Sequence, residues 1–258
     1  MVKIRNIEEL METLAPAYLK EKWDNVGLQV GNHENIVTGI LLSLDLTSKV
    51  IEEAQTLGCN LILTHHPLIM EPLKRIVSDE PVSDMIIKLI SGNISFFCAH
   101  TNLDKAEGGV NDCLAEKLGL IDITELGEEQ EGAICRIGTL PYKMTMREFA
   151  YLVKKNLNCE SVKFSGDEDK YIKTVALCSG SGSDFYTAAA ENGADVFVTG
   201  EVKHHAALYA EELGVSFVEA GHFETETIVL EMLCDKLTSE FDIPVFISEK
   251  HEAFLKTL

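Results

Sequence analysis

The chain has 258 residues, 46% of them apolar and 25% charged, which is globular composition and excludes disordered, collagen-like or low-complexity classes. With 22 Lys and Arg against 42 Asp and Glu the formal charge is −20, a field that repels phosphate backbones and anionic lipid, so nucleic acid and membrane surfaces are poor partners. Charge interrupts MVKIRNIEEL too often for a signal peptide, no apolar run reaches a membrane span, and seven cysteines without a C-x-x-C pair read as buried reduced thiols; these features predict a cytoplasmic protein.

Asn6 with Glu9 predicts a capping-box start for a helix over NIEELMETLA, with Ile7, Leu10, Met11 and Leu14 on one face and Pro16 as its stop. WDNVGLQVG reads as a loop. TGILLSLDL and NLILT are apolar runs of strand length, separated by a helix over SKVIEEAQTLG that Gly58 ends. SDMIIKLISG predicts a helix capped by Ser83, ISFFCAH a strand and GVNDCLAEKLG a further helix. This alternation predicts a parallel three-layer α/β lobe over 1–125. The acidic stretch ITELGEEQEG marks its end, and 126–258 is expected to form a second α/β lobe whose C-terminal helix and strand pack back on the first. There GAICRIGTL, SVKFSG and IKTVALCSG predict strands, and Thr145 with Glu148 opens a helix over TMREFAYLVKKNL.

The two halves repeat one another. With Ser43 set against Cys178, Ala54 meets Ala189, Gly58 meets Gly193, and Leu61-Ile62-Leu63-Thr64 meets Val196-Phe197-Val198-Thr199 without a gap. Further on, ISFFCA (94–99) resembles VSFVEA (215–220). Such a repeat predicts two similar lobes with a site in the cleft between them, fed by equivalent strand ends, where α/β sheets gather ligands.

Six of the eight histidines follow predicted strand ends: His65, His66, His100, His204, His205 and His222. His251 is set aside because its tail reads as exposed. Adjacent residues on a strand point to opposite faces, so His65 and His66 share a site only if the strand breaks, which Pro67 favours. A helix starting after Gly221 would carry His222 and Glu226 on one face by their i, i+4 spacing. Asp104 lies four residues after His100. Three imidazoles and two carboxylates suit zinc, manganese or iron, and five ligands exceed one closed tetrahedral zinc and fit two metals. Outer hydrogen-bond partners that fix the histidine tautomers are expected from Thr64, His100 and Glu201, with His205 as a further candidate.

The strings DNVGLQVG, LILTHHPLI, AHTNLD and TGEVKHH…EAGHFETE resemble, in order and over nearly the whole chain, the GTP cyclohydrolase 1 type 2 family of Nif-three-like proteins. The resemblance implies a two-lobed α/β fold, ring-like homo-oligomers that are often hexamers, and two divalent ions per chain held by His65, His66, Asp104, His222 and Glu226. The large domain that some members insert between the lobes is absent, since about fifty residues separate the Asp104 helix from the second repeat. Two loops stay open at this level. WDNVGLQVG either brings backbone and Asp24-Asn25 to a ligand or is a turn capped by those residues. SGSGSD at 179–184 is either an anion cradle before a helix or a plain strand-to-helix turn, and it lacks the lysine ending of a P-loop.

No serine-hydrolase elbow or dinucleotide fingerprint occurs. The leading expectation is a metal-dependent hydrolase acting on a nucleotide or related small molecule, of GTP cyclohydrolase or phosphoesterase type. The alternative is a non-enzymatic, ring-shaped metal-binding scaffold or metal chaperone.

Overall fold

Leu61–Thr64 and Ser95–Cys98 are short apolar runs buried at every residue, the signature of strands covered on both faces. The computed structural model, which describes residues 1–127 and 133–255, arranges such strands in two α/β units. The first half of the chain runs α1 (Ile4–Leu14), β1 (Gly27–Val30), β2 (Ile40–Ser43), α2 (Ser48–Leu57), β3 (Leu61–Thr64), α3 (Pro81–Ser91), β4 (Ser95–Cys98) and α4 (Thr101–Lys105). Next come α5 (Val110–Lys117), β5 (Ile121–Leu126), β6 (Cys135–Thr145), α6 (Met146–Asn156), β7 (Lys163–Phe164) and β8 (Tyr171–Cys178). The order finishes with α7 (Tyr186–Glu191), β9 (Val196–Thr199), α8 (His204–Glu212), β10 (Ser216–Glu219), α9 (His222–Glu226), α10 (Val229–Glu240) and β11 (Val245–Ile247).

One unit comprises Met1–Ala106 with Val229–Glu252, the other Glu107–Ile228 with the chain end from Ala253. Residue 125, the expected boundary, lies within β5, which pairs antiparallel with β6 in the second unit's sheet. Residues 128–132 of the acidic stretch lie outside the described residues. β11 pairs in parallel with β2, so the chain returns to complete the first unit's sheet.

The first sheet has the order β1-β4-β3-β2-β11 and the second β5-β6-β8-β9-β10-β7. In each, three consecutive strands of a β-α-β-α-β run are parallel (β2, β3, β4 and β8, β9, β10), and a short antiparallel strand, β1 or β7, closes on the third. Thr64 aligns with Ser43 and Cys98, and Thr199 with Cys178 and Glu219, so the two threonines hold one register position in two copies. The copying continues past the strands: the Ala99 amide donates to the Thr64 carbonyl at 3.0 Å and the Ala220 amide to that of Thr199 at 2.9 Å. The repeat read from the sequence is thus built into the fold.

Alternation along the strands sorts the core. In the first unit Leu41, Ile62, Phe96 and Cys98 face Val50, Ile51 and Ala54 of α2 and Leu89 of α3. In the second, Val175, Leu177, Val196 and Val198 pack with Phe149 and Val153 of α6, while Ala176, Phe197 and Phe217 pack with Ala189 of α7 and Ala206 and Ala210 of α8. Cys59, Cys98, Cys135, Cys159 and Cys178 are buried and none of the seven cysteines is in a disulfide, which agrees with reduced thiols. Burial pushes the Cys159 thiol up to about 12.

Three local expectations shift. α1 starts at Ile4 rather than at Asn6, whose side chain instead accepts from the Lys3 amide at 3.0 Å. α3 starts at Pro81 with Glu80 before it, because proline suits the first helical position, and Ser83 lies inside the helix. Part of the WDNVGLQVG loop is the strand β1. Gly27, which opens it, and Gly31, just past its end, take φ of +100° and +135°, and a Cβ at Gly31 would lie 2.7 Å from that of Ser95. Among the described residues no helix is long and apolar enough to cross a membrane.

Candidate metal centre

β3 ends where the ladder gives way to a pinned turn. The Thr64 hydroxyl donates to the His66 carbonyl at 2.6 Å, while the His65 and His66 amides donate to the Ser43 and Leu44 carbonyls at 3.3 and 3.0 Å. The break brings the neighbouring rings together instead of to opposite faces, with centroids 5.0 Å apart. His100, just past β4, joins them, its ring 5.2 Å from His65 and 5.5 Å from His66. One ring nitrogen from each of the three lies within 4.8 Å of the others. α4 then carries Asp104 round so that its Oδ1 stands 3.5 Å from His65 Nε2. The first unit therefore gathers His65, His66, His100 and Asp104.

Each ring is held from behind by an oxygen that can only accept. His65 Nδ1–H donates to the Ala99 carbonyl at 2.9 Å, His66 Nδ1–H to Asp45 at 2.7 Å, and His100 Nδ1–H to Asp24 at 2.9 Å. A carbonyl or carboxylate partner fixes the proton on Nδ1 and leaves the Nε2 lone pair for a ligand, the usual arrangement behind metal-binding imidazoles. His100 thus carries an outer partner of its own and stands in the ring cluster itself. Thr64 meets a backbone carbonyl, not a ring. Asp45 was missed in the sequence, although a carboxylate two residues past the end of β2 sits at a strand end like the histidines. Asp24 resolves the WDN loop: it caps and orients. It is buried and accepts from the Thr101 amide at 3.0 Å and the Thr101 hydroxyl at 2.5 Å. Burial pushes its carboxyl up, but the bonds from His100 and Thr101 and the His100 charge outweigh that and hold it at about 2.

The second unit builds its pair on α9, as the spacing predicts. His222 Nε2 lies 3.1 Å from Glu226 Oε2, and His222 Nδ1–H donates to Glu201 at 3.0 Å. Glu201, just past β9, is itself steadied by the Ser181 hydroxyl at 2.8 Å. Glycines make the room: a Cβ on Gly200 would lie 2.7 Å from His222 Cα, and one on Gly180, at φ +58°, would collide with the Glu226 carboxylate. The 179–184 loop is a turn of this kind rather than an anion cradle. Its Ser179, Gly180 and Gly182 amides donate to Asn111, Thr225 and Thr199 side chains at 2.7, 3.1 and 3.0 Å.

The remaining histidines stand apart from these sets. His204 and His205 open α8 on the exposed surface, with His205 edge-on to Tyr209 at 6.5 Å. His33 is exposed and bonded to Glu8. His251 is not in an exposed tail as expected. The Glu249 amide donates to Glu53 at 2.9 Å, strapping the segment down, and burial lowers the His251 pKa against the pull of Glu53 and Asp45.

The donor set, neutral imidazole Nε2 atoms and carboxylates with no thiolate, fits divalent zinc, manganese or iron. A family model described as Duf34/NIF3 (NGG1p interacting factor 3) matches residues 2–253. A GTP cyclohydrolase 1 type 2 homolog of Clostridium perfringens is 39% identical over 253 residues, 96% of this chain and 97% of that one. Its namesake in Clostridium acetobutylicum is 35% identical over 97% of both chains. Among solved structures, the Staphylococcus aureus hypothetical protein SA1388 superposes with a TM-score of 0.92 at 29% identity over 99% of each chain. A Bacillus cereus protein related to NIF3 gives 0.90 at 25% identity over 100% of this chain and 99% of its own.

Proposed function

The chain belongs to the Duf34/NIF3 family, and from that membership and the prepared histidines we propose that it binds two divalent metal ions and is a metal-dependent hydrolase acting on a nucleotide or related small molecule. The ligands in this reading are His65, His66 and Asp104 of the first unit and His222 and Glu226 of the second. The observation that carries it is the preparation of the rings: four imidazoles, His65, His66, His100 and His222, each with Nδ1 tied to an acceptor. Nothing in folding alone requires four tautomers to be fixed alike.

Bound divalent ions would supply Lewis-acid polarisation of a phosphoryl or carbonyl-like oxygen and a water of lowered pKa. The chain's own part is to hold the donors without rearrangement. Asp24, Asp45 and Glu201 also balance charge behind the rings they hold. The name of the Clostridium relatives points to GTP as the first substrate to try.

Elemental analysis of protein purified without chelator should approach two ions per chain, and one ion at saturating zinc, manganese and iron would rule out the metal pair. Protein stripped of metal and reloaded should then turn over GTP or another member of a nucleotide panel. Two bound ions with no turnover would assign the chain to non-enzymatic metal scaffolds. The family reading also includes assembly into a homo-oligomer, a hexamer by the pattern of its members. Light scattering should return a particle several times the 28.5 kDa of one chain, and a monomer at all working concentrations would end that part of the reading.

A further inference from the structure

We propose that Trp23 is a stacking platform that holds the planar nitrogen heterocycle of the substrate beside the three-histidine cluster. This rests on the reading of that cluster as part of a small-molecule metal site. Trp23 is the chain's single tryptophan, and its residue is 60% exposed. A lone exposed apolar side chain needs no explanation by itself. Two observations set this one apart.

The first is how firmly its loop is held. On one side the Glu21 amide donates to the Thr101 hydroxyl at 2.9 Å, and the buried Lys105 ammonium meets Glu21 at 2.8 Å. On the other side the Asp24 amide donates to the Glu21 carbonyl at 3.0 Å, and the Lys20 ammonium to the Asp24 carbonyl at 2.9 Å. The Asp24 carboxylate is buried among Thr101 and His100 donors, and the Asn25 side chain donates to the Ile69 carbonyl at 2.6 Å. Two buried charges and a set of hydrogen bonds thus fix the backbone on both sides of a ring that stays in water. An aromatic ring whose backbone is already ordered binds with little further entropy cost.

The second is where the ring stands. It meets the His100 ring at a centroid distance of 5.9 Å with the planes at 73°, and Asp24, the next residue, is the acceptor behind that same histidine. A flat ring lying on Trp23 is therefore brought to the edge of the cluster formed by His65, His66 and His100. Indole offers a large π-face that accepts any flat heterocycle, so it supplies affinity and placement while other contacts supply identity. A purine is the ligand class that joins such a ring to the nucleotide reading.

Because the chain has one tryptophan, its fluorescence reports on this position alone. Zinc-loaded full-length protein is titrated with guanosine 5′-monophosphate and, separately, with ribose 5-phosphate, which keeps the sugar and phosphate but lacks the ring. Saturable quenching by the nucleotide and none by the sugar phosphate is expected. Calorimetry on Trp23→Leu should show nucleotide affinity reduced by roughly five- to 150-fold, the range for loss of one base–aromatic stack. Trp23→Phe should restore most of it, and zinc affinity should be the same in all three proteins. Undiminished nucleotide affinity in Trp23→Leu, equal quenching by ribose 5-phosphate, or no nucleotide binding to zinc-loaded protein would overturn the platform. So would a fall in particle mass in Trp23→Leu with nucleotide affinity unaltered, since the ring would then be a subunit contact. Failure of the wild-type chain to bind zinc would instead strike the metal reading on which the proposal stands.

Discussion

The strands that end in Thr64 and Thr199 hold the same place in their two sheets, yet the chain leaves them differently. After Thr64 come two histidines and a proline, and the turn itself carries the donors. After Thr199 comes Gly200, whose missing side chain lets α9 close in and deliver His222 from the next segment, and then Glu201, whose carboxylate holds that histidine. The second position past the strand thus offers an imidazole at His66 in the first copy and the acceptor for an imidazole at Glu201 in the second. A repeated scaffold fixes where chemistry gathers but not which residue type arrives there.

The strongest way to break the comparison is to remove one donor from each copy. His66→Ala and His222→Ala should each lower zinc affinity more than the ten- to hundredfold typical of losing an outer partner, and should abolish most of the gain in Tm that metal provides. His33→Ala, at an exposed site bonded to Glu8, is the matched control; His251 is unsuited because it lies half-buried near Asp45 and Glu53. Chelator competition that shows a loss for one donor only would mean that the two copies do not share a task.

Gly200→Ala is the next largest. The new methyl would press on the His222 backbone and the Gly180 carbonyl, at 2.7 and 2.6 Å, and neither is the tip of a flexible side chain. A cost of roughly 1–3 kcal/mol follows from overpacking of this kind, a drop in Tm of several degrees for a chain of this size. Thermal melts of the metal-free protein check it, and an unchanged Tm would show that α9 has slack the geometry does not suggest.

The smallest effect separates the outer partners. Asp24 is buried and held by four donors, whereas the Glu201 side chain is 59% exposed, so Asp24→Asn should weaken zinc binding more than Glu201→Gln. Asp24 also sets an acid limit. Its pKa is lowered from 3.8 to about 2, so its contribution is complete above about pH 4 and is lost as pH falls from there toward 2. The amount is on the order of 2 kcal/mol. The Asp24→Asn variant should show a shallower loss of stability across that window, and parallel acid melts in the two proteins would remove Asp24 from the account.

What was legible in the sequence was the part fixed by local pattern. Buried parallel strands are continuous apolar runs, their helices end at Gly58 and near Gly193, and the threonine that ends each middle strand repeats at constant spacing. The i, i+4 spacing of His222 and Glu226 required only that a helix begin after Gly221, which it does. What escaped depends on partners distant in sequence. β1 is four residues long, half-buried and bounded by glycines, so it carries no strand pattern until β4 lies beside it. Asp45 gains meaning only when the next strand brings His66 within 2.7 Å, 21 residues later. His100 read as an outer partner because no local signal places its ring among the other two.

The return of β11 to the edge of β2 has a consequence for biosynthesis. Ile40–Ser43 leaves the ribosome early, but the strand that covers its open edge is made about 200 residues later. At elongation rates of roughly 5–20 residues per second the wait is on the order of 10–40 s. Throughout it, a fully apolar edge of Ile, Leu and Leu offers its unpaired amides and carbonyls to any neighbouring nascent chain. A stop codon anywhere before Val245 makes that exposure permanent.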